Sequence, residues 1–284
     1  MENVLMRYSQ SYTRDAYRNK IFRQSWQPDV SARAVILLAH GLSEHSSRYQ
    51  GFVDRFVPQG FAIYSWDHPG HGRSGGDRKY VNHFSDFTNV LTDYLDVIKQ
   101  QHPDLPIYAF GHSMGGLITT HYLLEHQQAF RGAILSAPAL KVFGGVSTLT
   151  LLGGRLLSKI CPKFRIKSID GDYISRDPKV VEDANSDPLN EKGSTSIRLL
   201  AELVGAMQRV ERDAHRITLP ILILQGTGDR IIDPAGAELL YQKVSSKDKT
   251  LKHYPGLYHE LLNEPEKDDV LNDIEAWLQE RSGK

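Results

Sequence analysis

Two rhythms of apolar residues alternate along the first half of the chain. Short continuous runs occur at residues 34–39 (AVILLA), 62–66 (AIYSW), 107–110 and 133–136, and again much later at 221–224 (ILIL) and 250–254. Unbroken apolar character, rather than strict alternation, marks strands buried on both faces, as in a parallel sheet covered by helices. Between the runs, Phe87, Val90, Leu91, Tyr94, Leu95 and Ile98 recur at helical spacing, and residues 49–57 make a shorter helical stretch. The succession predicts βαβ units with right-handed connections. Ahead of them, residues 19–26 read as an antiparallel edge strand.

The rhythm breaks after Ala137-Pro138, and no buried strand recurs before residue 221. The sequence thus divides into a core (1–138 and 217–284) and an inserted helical cap (139–216). The cap opens with LKVFGGVSTLTLLGGRLLSKICPKF, which mixes apolar residues with glycines and a basic end. Two readings apply: a lid that transiently touches a membrane surface through an apolar face, or an ordinary helical cap packed on the core, which is favoured. Helical spacing over 197–207 leads the chain back to the sheet.

Composition narrows the function classes. The 284 residues suffice for one large α/β unit with an insertion, and 34 Lys and Arg balance 34 Asp and Glu, so no global field selects nucleic acid as a partner. The single cysteine, Cys161, excludes an intrachain disulfide and reads as a packing residue. The opening stretch lacks a secretory pattern and no apolar run reaches membrane-spanning length, so a cytoplasmic protein is expected, peripheral to a membrane at most.

The chemistry centres on PIYAFGHSMGGLITTHYLL, where a strand-like run turns into a helical pattern through G-x-S-x-G (Gly111, Ser113, Gly115). Such a turn exposes a strained serine hydroxyl as a nucleophile. Serine needs a base and a third group to orient the base, and on this topology the order is serine, acid, histidine. After the strand at 221–224 stand Asp229 and Asp233. Asp233 precedes Pro234 and a helical pattern and reads as a helix N-cap, leaving Asp229 as the acid. Only His253 and His259 follow Asp229; His253 lies in the last strand, so His259, in the loop beyond, is the candidate base. The oxyanion donors expected are the amides of Met114 and of Leu42, the latter in the loop HGLSEHSSRY after the first buried strand. Asp67, His68 and His71 match D-H-x-x-H, but no second set at ligand spacing completes a metal site, and no G-K-[ST] completes a phosphate loop; no metal or cofactor is expected.

Together HGLSEHSSRY, DHPGHGRSGG, GHSMGGL, NSDPL, LQGTGDRIIDP and YPGLYHELLNEPE, spanning residues 40–266, resemble the monoacylglycerol lipases and related lysophospholipases of the α/β-hydrolase fold. The resemblance implies a mostly parallel central sheet flanked by helices, a cap over an apolar acyl tunnel, a Ser113, Asp229, His259 triad, and a polar head-group pocket. Glu44 and Arg48 match residues that orient the loop or the glycerol in such enzymes, and equally read as a buried ion pair holding the loop. His112, locked beside the elbow, joins them as a substrate-contact candidate. Two departures stand out: Leu262 replaces a histidine near the glycerol of mammalian members, and Ala184 replaces a tyrosine. The expected activity is hydrolysis of monoacylglycerols or similar single-chain acyl esters through an acyl-enzyme, by a monomer or homodimer. The alternatives are a lysophospholipase, a general carboxylesterase, or a lipid-binding protein that keeps the fold without turnover.

Overall fold

The polar N-terminal segment supplies two strands where the apolar pattern shows one. The computed structural model describes residues 6–143, 148–167 and 171–282, with the side chains of 148–152 and 171 outside that set. β1 (Met6–Arg14) pairs antiparallel with β2 (Lys20–Pro28), so β2 is not the sheet edge. Nearly every side chain of β1 is exposed, so no apolar period announces it. Its tyrosines, Tyr8 and Tyr12, rest on Trp26 and Phe22 of β2 at centroid distances of 5.7 and 5.4 Å.

Next come β3 (Ala34–Ala39), α1 (Gln50–Phe56), β4 (Phe61–Trp66), α2 (Ser85–Gln101), β5 (Ile107–His112), α3 (Met114–His126) and β6 (Gly132–Ser136). The inserted segment carries α4 (Thr148–Ile160), β7 (Arg165–Lys167), α5 (Pro178–Ser186), β8 (Ser194–Ser196) and α6 (Ile197–Asp213). The chain closes with β9 (Ile221–Gly226), α7 (Ala235–Lys243), β10 (Lys249–Tyr254) and α8 (Lys267–Arg281). Among the described residues the main sheet has eight strands in the order β1-β2-β4-β3-β5-β6-β9-β10, parallel from β4 to β10. This is the α/β-hydrolase fold. Strand order reverses at β3, and the loops after β3 and β5 therefore diverge from the carboxyl edge at a switch point, where open α/β sheets place their sites.

Alternate residues of β3 explain why its apolar run is continuous. Val35 and Leu37 face a core layer with Phe87 and Leu91 of α2 and Leu117 of α3, while Ile36 and Leu38 face another with Phe52 of α1 and Ile274 of α8. Burying both faces of the strand at about 25 cal/mol per Å² of apolar surface fixes the platform on which the loops stand.

The inserted segment is tied to this platform at several places, including Glu260 N to Ile174 O, Arg176 to Glu264 and Phe84 N to Glu202, and most densely around Lys79. Glu191 donates its amide to Ser43 O (2.9 Å), and the fully buried Lys79 donates from Nζ to Glu191 O (3.0 Å), Gly193 O (3.2 Å) and Ser43 Oγ (3.3 Å). Burial pushes the Lys79 ammonium down to about 8, against the pull of Glu191. Ser196 caps α6 by accepting the Leu199 amide (3.2 Å) and donates to Lys79 O (2.7 Å). By contrast Phe143, Leu156, Ile160 and Phe164 are exposed, and so is Cys161, which is therefore not a packing residue. Leu151 and Leu152, in the apolar stretch that opens the cap and is a candidate membrane contact, lie outside the described side chains.

Candidate active site

β5 ends directly in the serine. Ser113 adopts φ 52°, ψ −119°, a strained backbone for a residue with a side chain, held by Ser113 N to Ser136 O and Ala139 N to Ser113 O, both 3.0 Å. The turn is possible because α3 starts hard against β3: a Cβ on Gly115 would stand 2.1 Å from Ala39 O. Met114 is the first residue of α3, so its amide belongs to the first turn, which has no carbonyl partner within the helix and carries the positive end of the dipole.

The loops after β9 and β10 deliver the remaining groups. The Ser113 hydroxyl donates to His259 Nε2 at 2.8 Å, and His259 Nδ1 donates to Asp229 Oδ2 at 2.8 Å. All three residues are buried to within a few per cent. Asp229 Oδ1 accepts the amides of Ile231 (2.9 Å) and Ile232 (3.2 Å), and Gln225 Nε2 donates to Oδ2 at 3.2 Å. Burial would raise the Asp229 carboxyl, but His259 and the two amides outweigh it and hold the group below the usual range. Burial likewise opposes charge on His259, yet Asp229 beside it prevails and raises the imidazole above its ordinary value. The pair is thus poised to take a proton from the serine.

The competing residues go elsewhere. His253 faces outward on β10 and pairs with Glu238 at 2.7 Å. Asp233 Oδ1 accepts the Ala235 amide at 3.0 Å and its other oxygen pairs with Lys141 at 3.0 Å. The capping chemistry is as expected, but α7 starts one residue later, leaving Pro234 just outside the helix instead of at its first position.

The loop after β3 brings Leu42 beside the elbow. A Cβ on Gly41 would stand 3.2 Å from Ser113 Cβ and 2.8 Å from Glu44 Oε1, so the backbone itself abuts the serine. The Gly41 amide is taken by Glu44 Oε1 at 2.5 Å, and Ser43 turns the chain at φ 68°. Behind the loop His40 donates from Nδ1 to Gly41 O (2.8 Å) and accepts the His68 amide at Nε2 (2.9 Å). Burial keeps His40 and His68 far below ordinary histidine values and His71 down to about 4, so this trio is neutral. Asp67 accepts the amides of Ser46 (2.9 Å) and Arg73 (2.7 Å). The D-H-x-x-H segment thus organises loops, and no set of three metal-ligating side chains converges among the described residues.

Glu44 and Arg48 belong to a buried ion cluster that includes a residue missed in the sequence. Arg48 grips Glu260 through two bonds, 2.5 and 2.8 Å, and reaches Glu44 at 3.3 Å, while Tyr49 donates to Glu44 Oε1 at 2.7 Å. Burial raises the Glu44 carboxyl; for Glu260 burial is outweighed by Arg48, which lowers it. The signal for Glu260 was its position directly after the base in YHELL, but its partner lies 212 residues away. His112 donates from Nδ1 to Ser136 O (3.1 Å), its ring 4.8 Å from that of His259. Burial, reinforced by His259, brings His112 down to about 3. A small cavity lies between His112, Arg48 and Leu262, and a wider cleft runs from Leu42 and Glu44 outward past Ala184. Both departures noted in the sequence therefore stand on cavity walls.

A family model described as serine aminopeptidase, S33, matches residues 30–266. A monoacylglycerol lipase of Mycolicibacterium smegmatis is 38% identical over 259 residues, covering 91% of this chain and 92% of that protein. A monoglyceride lipase of Mus musculus is 37% identical over 264 residues, covering 92% and 87% respectively. Among solved structures, the monoacylglycerol lipase of Paleococcus ferrophilus aligns with a TM-score of 0.83 at 29% identity, over 91% of this chain and 98% of that one.

Proposed function

The chain belongs to the serine aminopeptidase S33 family of hydrolases, and on that premise we propose that it is a carboxylester hydrolase cleaving monoacylglycerols to fatty acid and glycerol. The observation that carries the reading is the pair of 2.8 Å bonds linking Ser113, His259 and Asp229 inside a strained elbow, in a chain this similar to monoacylglycerol lipases. Ser113 Oγ attacks the ester carbonyl while His259 Nε2 takes its proton; Asp229 fixes the tautomer and stabilises the imidazolium. The amides of Leu42 and Met114 receive the oxyanion, and each such donor is worth roughly 10²–10³ in rate. His259 returns the proton to the leaving glycerol oxygen, and water, activated by the same base, releases the fatty acid from Ser113. His112 and the Glu44, Arg48, Glu260 cluster hold the base and the oxyanion loop in place.

An ester substrate suits the polar groups better than a peptide with a free amino terminus. Glu44, Glu191 and Glu260 are the carboxylates on the two cavities, and each is already engaged by an arginine, so none is left for a terminal ammonium. No helix among the described residues is long and apolar enough to cross a membrane. The exposed apolar side chains of the cap, Phe143, Leu156, Ile160 and Phe164, suit contact with the surface of a lipid aggregate, giving a cytoplasmic protein that visits membranes. Hydrolysis across monoacylglycerols, p-nitrophenyl esters and aminoacyl amides tests the assignment. Turnover of monoacylglycerols with no release from aminoacyl amides supports it; the reverse would overturn it.

A further inference from the structure

Lys79 is a fully buried cation that none of the catalytic steps uses, and it stands where the inserted segment meets the oxyanion loop. Its backbone, left-handed at φ 48°, is held on both sides: the amide donates to Gly70 O at 3.1 Å and the carbonyl accepts the Ser196 hydroxyl at 2.7 Å. From that root Nζ reaches Glu191 O and Gly193 O of the cap, at 3.0 and 3.2 Å, and Ser43 Oγ at 3.3 Å. Ser43 O accepts the Glu191 amide at 2.9 Å, so the cap holds Ser43 by its main chain and, by way of Lys79, by its side chain. Leu42 immediately precedes Ser43, and on its other side the Gly41 amide is bound to Glu44 Oε1 at 2.5 Å. The Leu42 amide therefore lies between two anchors, one in the core and one on the cap. Among the described residues, Glu191 favours the Lys79 charge and Arg165 opposes it, while Arg78 pairs with Glu191 and the nearby His71 is neutral.

We propose that Lys79 is a positioning residue for the oxyanion hole: its ammonium fastens Glu191 and Gly193 of the cap to Ser43 and so sets the Leu42 amide where the oxyanion forms. The inference rests on the ester-hydrolase reading of Ser113 and Leu42 and adds what holds the donor in place. The charge matters to the joint. A neutral amine grips the same oxygens less tightly, because charge-assisted bonds are roughly twice as strong as neutral ones, and it has only two N–H groups for three of them. Burial brings the Lys79 ammonium down to about 8, so the joint is tight below that pH and loosens above it. Discharge does not unfold the protein: the unfolded chain keeps its lysine proton up to about pH 10.4, so this group raises stability rather than lowers it as pH passes through that window. Oxyanion donors act on the transition state and not on the bound ester, so a displaced Leu42 amide lowers kcat and spares KM.

The test follows release of glycerol from 1-butanoylglycerol by the full chain between about pH 6 and 10, corrected for spontaneous hydrolysis. In the parent protein kcat should fall about tenfold on an alkaline limb centred at about pH 8, with KM within about twofold and an unchanged far-ultraviolet circular dichroism spectrum. Lys79→Met, uncharged at every pH, should show the reduced kcat already at about pH 7 and no alkaline limb. Lys79→Arg keeps its charge throughout; kcat should return to within about threefold of the parent and hold to about pH 10. A parent kcat flat from about pH 7 to 10 would overturn the proposal, and it decides the matter even where Lys79→Met does not fold. A limb that persists in Lys79→Met would overturn it too, as would a loss confined to KM, since a lysine that only stabilises the fold moves neither the limb nor kcat selectively. If the parent releases no glycerol at any pH, the ester-hydrolase reading itself falls and this inference with it.

Discussion

Ser113 sits 8% exposed at the end of a strand buried on both faces, its hydroxyl bonded to His259, whereas Leu156 and Ile160 of the cap are 61% and 68% exposed. The floor of the site is built from long-range pairings: Arg48 with Glu260, His259 with Ser113, Asp229 with His259. The cap is joined to that floor by a dense set of bonds around Glu191 and Lys79, while α4 presents apolar side chains outward. The contrast separates two jobs. Geometry that must hold to a fraction of an ångström for proton transfer is fixed by the sheet. On the proposed reading, contact with a lipid aggregate falls to the inserted segment, whose exposed apolar side chains stand apart from that chemistry.

If the floor is the catalytic unit, its substitutions should far outweigh those in the cap. Ser113→Ala is expected to lower ester hydrolysis by about 10⁵–10⁶-fold while leaving the far-ultraviolet circular dichroism spectrum unchanged. Asp229→Asn should cost about 10⁴-fold, because an amide favours the wrong imidazole tautomer. That variant also has a pH signature. His259 works as a base only when neutral, and Asp229 raises its pKa, so in the parent protein kcat/KM should climb with pH through a value above that of an ordinary histidine. Without the carboxylate, burial pulls the imidazole the other way against only the weaker pull of Glu260 and Glu44, so the acid limb should move to lower pH. A limb that stays in place would show that Asp229 does not govern the base.

Stability sharpens the comparison next. Arg48→Met strands Glu44 and Glu260 as buried, unpaired carboxylates and should destabilise the fold by about 3–5 kcal/mol in urea titration. Removing the exposed cap pair with Lys179→Ala should change stability by no more than about 0.5 kcal/mol. Comparable losses from both would erase the distinction drawn between floor and cap. The smallest effect belongs to the apolar cap face: Leu156→Ser/Ile160→Ser should leave turnover of dissolved p-nitrophenyl butyrate within about twofold and stability within about 0.5 kcal/mol, since both side chains are exposed. Its activity on monoacylglycerol in vesicles should drop several-fold. An equal drop on both substrates would locate the effect in the folded core rather than at a lipid surface.

The same contrast governs what was legible in the sequence. β3 could be placed at both ends because its six residues are apolar and buried on both faces, which leaves a continuous run. The three residues that the fold gathers at 2.8 Å were reachable through chain order and loop position, since each stands just past the carboxyl end of a strand. β1 was not legible, because an exposed strand carrying serine and glutamine between its tyrosines, with arginines outside them, has no apolar period. Lys79 and Glu260 were opaque for another reason. A charged side chain is buried only when distant partners neutralise or bond it, and nothing local in GDRKY or YHELL records the carbonyls of residues 191 and 193 or the guanidinium of Arg48. Exposed Cys161 shows the converse, a residue type usually buried that the cap turns to solvent.

The central claim, that Ser113 is a nucleophile driven by His259 and Asp229 toward acyl esters, is tested most directly with a fluorophosphonate. Intact-protein and peptide mass spectrometry, run beside a monoacylglycerol hydrolysis assay, would follow the label and the activity together. The account predicts one adduct per chain, located on Ser113, with hydrolysis lost in proportion to labelling and neither labelling nor activity in Ser113→Ala. An adduct on another residue, or a folded Ser113→Ala protein that still hydrolyses monoacylglycerol, would contradict it.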